Sequence, residues 1–221
     1  MTPQFALSKY WIFAAILLAS SMSFATKSSD ALKPLKDTLG AIRAVSMVDF
    51  KIEKTTFSDF SGEKKVSATA ALSGPLFRLE VSGPQKEIIV YDGRFIWVAQ
   101  YPDPDFPGPV QVLKSKITGS QKKQLILSEL ISNGKLLENF NLEKTSEDKG
   151  LVTYEGTPKE KQTELKKVTV QVQGRELKSI EYVDDIGNRV RYDILKQRLL
   201  KDPQPQKFKY SPPKGAQVSE A

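Results

Sequence analysis

The chain has 221 residues, 33 Lys and Arg against 26 Asp and Glu, and a formal net charge of +7. It contains no cysteine and no histidine, which excludes a disulfide framework, thiol catalysis, a cysteine-linked lipid anchor and the most common general base and transition-metal ligand. The lysines come as scattered pairs (Lys64-Lys65, Lys122-Lys123, Lys166-Lys167) with no aromatic stripe among them, so nucleic acid is not an expected partner; a field of this sign steers toward acidic partners or anionic lipid.

Residues 1–25 read as a secretory signal. Lys9 supplies the charge, the run from Tyr10 to Ser23 the apolar stretch, and Ser23-Phe24-Ala25 the small-x-small cleavage site. Export leaves residues 26–221, a length that suits one domain. Asp30 is placed to cap a helix in which Leu32, Leu35, Leu39 and Ile42 recur at helical spacing.

From Val45 the period becomes two. Val48, Phe50 and Ile52 alternate with polar residues, as do Val66, Ala68, Ala70 and Leu72 beyond a turn at Ser61-Gly62. Gly74-Pro75 breaks the chain, and Phe77, Leu79 and Val81 mark one face of the next strand. After a turn at Gly83-Pro84, residues 88–91 and 94–101 flank Asp92-Gly93, a strong hairpin signal. Residues 101–109 hold four prolines and exclude regular structure.

Ser120 is placed to cap a second helix carrying Leu125, Ile126, Leu130 and Ile131, ended by Asn133-Gly134. Further strands are expected at 138–145, 151–157, 166–173, 176–183, 189–196 and 206–210. Short links imply antiparallel neighbours. The sum is a mainly β chain with some α, an antiparallel sheet of about eleven strands. A sheet of that many strands curls, and two helices can cover its open side.

Little in the chain suggests catalysis. Asp184-Asp185 reads as turn chemistry beside Gly187-Asn188, and Asp103 and Asp105 as solvated loop acids. No catalytic, cofactor-binding or metal site is expected. The inward-facing candidates are Phe50, Ile52, Phe77, Leu79, Val81, Phe95, Trp97, Phe140, Leu142, Val170, Ile180 and Tyr182, joined by Val168, Val190 and Tyr192, with the stripe Leu32, Leu35, Leu39 and Ile42 facing them. Periodicity alone does not distinguish a filled barrel from one that holds a ligand.

Several stretches carry a resemblance. They are Pro75-Leu76-Phe77-Arg78-Leu79, Ile88-Ile89-Val90-Tyr91-Asp92-Gly93, Phe95-Ile96-Trp97 and Tyr101-Pro102. The last is the run Phe208-Lys209-Tyr210-Ser211-Pro212-Pro213-Lys214-Gly215. In this order they resemble the periplasmic carrier of outer-membrane lipoproteins, the LolA type. The resemblance implies an incomplete barrel of eleven strands with helices over its open side. It implies a monomeric carrier in the Gram-negative periplasm, without cofactor or covalent chemistry. Such a carrier takes up the acyl chains of lipidated proteins from an inner-membrane ABC-type releasing complex and passes them to an outer-membrane acceptor. The inward-facing candidates would then line an acyl-chain cavity, with the Leu32–Ile42 stripe as its lid. A sensing or adaptor module on the same fold is the alternative. The chain departs from the family at Gly74, where many members carry an arginine thought to latch the lid.

Overall fold

A computed structural model describes residues 31–58, 62–117, 126–132, 135–160 and 165–220. The expected signal and the caps at Asp30, Ser120 and Asn133-Gly134 lie outside these residues. Twelve strands form one sheet: β1 (Met47–Ser58), β2 (Gly62–Ser73), β3 (Leu76–Val81), β4 (Glu87–Tyr91), β5 (Ile96–Gln100), β6 (Gln111–Ser115), β7 (Phe140–Asp148), β8 (Leu151–Pro158), β9 (Leu165–Gln173), β10 (Glu176–Asp184), β11 (Arg189–Leu200) and β12 (Gln217–Glu220). Their order is β12-β6-β5-β4-β3-β2-β1-β11-β10-β9-β8-β7. Every pairing is antiparallel except β12 on β6. The outer strands, β12 and β7, do not pair with each other, so the sheet is an open, incomplete barrel.

The helices are α1 (Lys33–Arg43), α2 (Ile126–Ser132) and α3 (Lys135–Asn139). Pro34 stands in the first turn of α1, where its missing N–H costs nothing. Leu35, Leu39 and Ile42 are buried in one cluster with Phe50, Ile52, Phe77, Leu79, Val170 and Ile180. That cluster joins α1 and α2 to residues from β1 through β11, and it defines the inner face of the sheet.

At the seam between the halves, β1 pairs with β11, and the register shifts between Lys51 and Ile52. The extra residue is Leu195, which stays 68% exposed. A bulge of this kind bends a strand and sharpens its twist, which helps the sheet wrap its helices.

Three expectations need correction. Residues 206–210 are not a strand: Pro205–Phe208 is a 3₁₀ turn followed by extended chain. The last strand lies further on, at Gln217–Glu220. The strand expected from 138 begins at Phe140, because Lys135–Asn139 is helical. β6 had no counterpart among the expected strands; its five residues follow the Pro-rich loop directly.

Gly156 shows how tightly β7, β8 and β9 meet inside. A Cβ there would lie 2.7 Å from Leu142 Cδ2 and 2.8 Å from Val168 Cγ1. Val168 is fully buried and stiff at χ1. Gly156→Ala is expected to destabilise the fold by about 1–3 kcal/mol, as read by urea unfolding.

Candidate functional site

The inner face is built by alternation. On β1 the inward residues are Val48, Phe50 and Ile52, and on β3 they are Phe77, Leu79 and Val81. β9 contributes Val168, Val170 and Val172; β10 and β11 contribute Ile180, Val190 and Tyr192. Phe140 is buried in the same cluster, and Leu142, Tyr182 and Leu32 pack against its margin. Most of the candidates read from the sequence are therefore brought together. Curvature shows in Tyr192 of β11. Burial pushes its hydroxyl pKa well up, and Tyr182 and Glu87, the latter from distant β4, push it further.

Two hydrogen bonds seat α1 on this face. The Tyr154 hydroxyl donates to the Ala31 carbonyl at 3.0 Å. Thr38 Oγ1, which also donates to the Pro34 carbonyl within the helix, reaches the Gly174 carbonyl at 3.4 Å. Leu35 and Leu39 are 0% exposed. In this state the helix itself occupies the inner face.

Phe95 and Trp97 do not belong to that face, which corrects the expectation. Ile96 and Val98 point inward instead, while Trp97 packs beside Ile88, Val90, Ala99 and Val112 on the opposite side. Tyr210 covers it there, ring centroids 5.8 Å apart. Lys114 Nζ lies 4.6 Å from the Phe95 ring and 5.3 Å from the Trp97 ring. The segment 205–216 is thus an outer strap across the sheet. Phe208, 2% exposed, fills a site against Met47 and Ala71. Arg78 Nη1 donates to the Lys207 carbonyl at 3.2 Å, and Lys207 Nζ donates to Asp49 Oδ2 at 2.9 Å. The C-terminal run that carried the resemblance is therefore a brace on the back of the sheet.

Residues that the sequence reading missed include Ile96, Val98, Val152, Tyr154 and Leu127, all buried in the inner cluster. Val152 and Tyr154 alternate along β8 and were available to period-two reasoning. Ile96 and Val98 were not, because apolar residues fill both faces of β5.

Asp92 anchors the hairpin that sets this register. Its Oδ1 accepts from Phe95 N at 2.8 Å and Arg94 N at 2.9 Å, and its Oδ2 from Trp97 Nε1 at 2.9 Å. Burial alone would raise its carboxyl pKa; the hydrogen bonds from Phe95, Trp97 and Arg94 outweigh burial and hold it below the ordinary range. A depressed folded pKa means stability that is present above the ordinary carboxylate pKa and lost as pH falls through the folded one. Asp92→Asn is expected to cost about 1–2 kcal/mol at neutral pH. The gap from wild type should close below about pH 4, as read by urea unfolding at stepped pH. The other acids singled out hold turns. Asp184 Oδ1 accepts from Asn188 N at 2.8 Å, and Asp103 Oδ1 from Asp105 N at 3.0 Å.

At one end the inner face opens into a cavity of about 560 Å³. Val66 and Val81 form its apolar wall; Lys54, Lys64, Lys86 and Glu87 line its rim, with the Pro-rich loop alongside. Phe106 on that loop is 79% exposed.

The family model of the outer membrane lipoprotein carrier protein LolA matches residues 70–211. The chain belongs to the LolA family. An outer-membrane lipoprotein carrier protein of Dechloromonas aromatica is 29% identical over 85% of this chain and 91% of its own length. One from Methylibium petroleiphilum is 26% identical over 95% and 97%. Among solved structures, an uncharacterized conserved protein from Thermus thermophilus superposes with a TM-score of 0.50 at 12% identity, covering 87% of this chain and 99% of that one. That likeness concerns the fold alone. Within this LolA-family chain, Gly74 has φ +54° and joins β2 to β3 through the two-residue turn Gly74-Pro75. Left-handed backbone favours glycine there, so an arginine at this position would be strained.

Proposed function

We propose that residues 26–221 form a periplasmic carrier that shields the acyl chains of lipidated proteins against the inner face of its sheet. It takes them from an inner-membrane ABC-type releasing complex and delivers them to an outer-membrane acceptor, working as a monomer without covalent chemistry. The observation that carries this reading is one continuous apolar face, from Val48 to Ile194, on a sheet that stays open and is capped by short helices, in a chain of the LolA family.

The energetics favour exchange over simple filling. An acyl chain of ~15 methylenes is worth about 12 kcal/mol when buried. Burial of Leu35, Leu39 and Ile42 already stabilises α1 on the sheet by roughly 5–9 kcal/mol. Cargo that displaces α1 therefore binds with only the difference, and a carrier must also let go. Acyl chains and α1 compete for the same residues in this mechanism.

The test is gentle purification of the protein from a periplasm, with mass spectrometry for bound lipoprotein and hydrogen exchange on loaded and empty forms. Co-purified lipoprotein with loss of protection in α1 is expected. Absence of any lipidated cargo overturns the carrier reading. Equal protection of α1 in both forms overturns the competition mechanism.

A further inference from the structure

The inner rows of β1, β2, β4, β5 and β6 change character at the same end of the sheet. On β1 the row Val48, Phe50, Ile52 ends in Lys54; on β2 the row Leu72, Ala70, Ala68, Val66 ends in Lys64. The rows of β4, β5 and β6 end likewise in Glu87, Gln100 and Gln111, and all five residues line the 560 Å³ cavity. The register pairs Lys54 with Val66 and Thr56 with Lys64. The two lysines are therefore diagonal neighbours on one face, roughly 7–8 Å apart at their stems. Like charges so placed repel.

Neither lysine has an ion-pair partner among the described residues. Lys65, between them on the other face, has Glu63 at 3.1 Å and Glu53 at 3.8 Å. The strap side shows the same economy, with Asp49 paired to Arg198 and Lys207, and Arg78 to Glu80. Opposite Lys54 and Lys64, Lys86 leans on the Tyr101 ring at 4.6 Å. Glu87 and Asp103 also line the cavity. Glu87 acts on the hydroxyl of Tyr192, the residue opposite Lys54 on β11, and Asp103 is engaged in its own loop. Three lysines against two acids leave the cavity lining with a net positive charge, and among the described residues no ion pair holds Lys54 or Lys64.

We infer that this lysine-lined mouth receives an anionic group carried next to the acyl chains of the ligand, a phosphate or a carboxylate. The inference rests on the acyl-carrier reading and adds the chemistry of the ligand's polar end. Acyl chains laid along the inner face leave past Val66 and Val81. The first polar atoms beyond them then meet the half-buried Lys54 and the exposed Lys64, where a charge-assisted contact is available.

Two matched probe pairs test it by fluorescence displacement. One pair is palmitoyl-lysophosphatidic acid against monopalmitoylglycerol. The other is an S-palmitoyl Cys-Asp peptide against its Cys-Asn counterpart. Wild type is expected to prefer the charged member of at least one pair by about tenfold, less so at high salt. The phosphate pair reports a lipid source, the peptide pair a lipoprotein's own leading residues. Lys54→Gln with Lys64→Gln should abolish the preference while leaving the neutral probes unchanged, and the outer-face control Lys65→Gln should keep it. Equal affinity within both pairs, or a preference that survives the double variant, overturns this inference and leaves the carrier reading standing. No binding of any palmitoyl probe overturns both.

Discussion

Leu39→Ala is expected to weaken the empty protein and strengthen its grip on an acyl chain. Leu39 is 0% exposed and sits in the inner cluster on α1. Removing it takes away buried methylenes and leaves a cavity, a loss of about 3 kcal/mol in unfolding free energy. An ordinary core mutation of that size damages a binding site. In the proposed mechanism the lost contact belongs to the competitor. If α1 must leave for cargo to enter, the substitution lowers the work of leaving by the same amount, and each 1.4 kcal/mol is about tenfold in affinity. Palmitate or a palmitoyl peptide should then bind up to about a hundredfold more tightly, as measured by calorimetry below the variant's melting range. Leu79→Ala, on the sheet itself, should lose stability and affinity together, because Leu79 packs in the cluster with α1 and in the proposed mechanism would meet the cargo as well. Affinities that fall in parallel for both variants would show that α1 and cargo occupy the site at the same time.

Trp97→Ala is expected to cost stability without changing affinity. Its indole donates to Asp92 and meets Tyr210, all on the strap side of the sheet. Truncation leaves a carboxylate oxygen short of a donor and the strap without its aromatic partner. A loss of about 3 kcal/mol follows. The inner face is untouched, so palmitoyl affinity at a temperature where the variant is folded should stay within about twofold of wild type, an energy difference under about 0.5 kcal/mol. A variant that keeps its stability but loses affinity would place the indole inside and reverse the face assignment of β5.

This contrast shows how far the residues could be read in advance. Most of the inner face was legible. On β1, β3 and β10 an apolar row alternates with charged or polar residues such as Asp49, Arg78 and Glu181, and only one face can be buried. The α1 stripe was legible for the same reason at period 3.6. On β5 the signal fails, because Phe95-Ile96-Trp97-Val98-Ala99 is apolar throughout. Both faces of that strand are covered, one by the inner cluster and one by the strap, and no local pattern ranks them. The strap was misread as a strand because Phe208 and Tyr210 alternate. Their side chains do point the same way, but they point at the back of the sheet from a separate segment, without a ladder of their own.

The sequence by itself determined the strand-rich class, the hairpin at Asp92-Gly93, the amphipathic helix and the absence of cysteine and histidine. These depend on residues adjacent in the chain, where period and turn chemistry act. Only the tertiary structure decided which face of β5 turns inward. It alone showed that β12 runs parallel on β6 across more than a hundred intervening residues, and that Lys54 and Lys64 end two apolar rows at one mouth. Those outcomes follow from long-range pairing and from what covers each face, and neither leaves a mark on the local pattern of the chain.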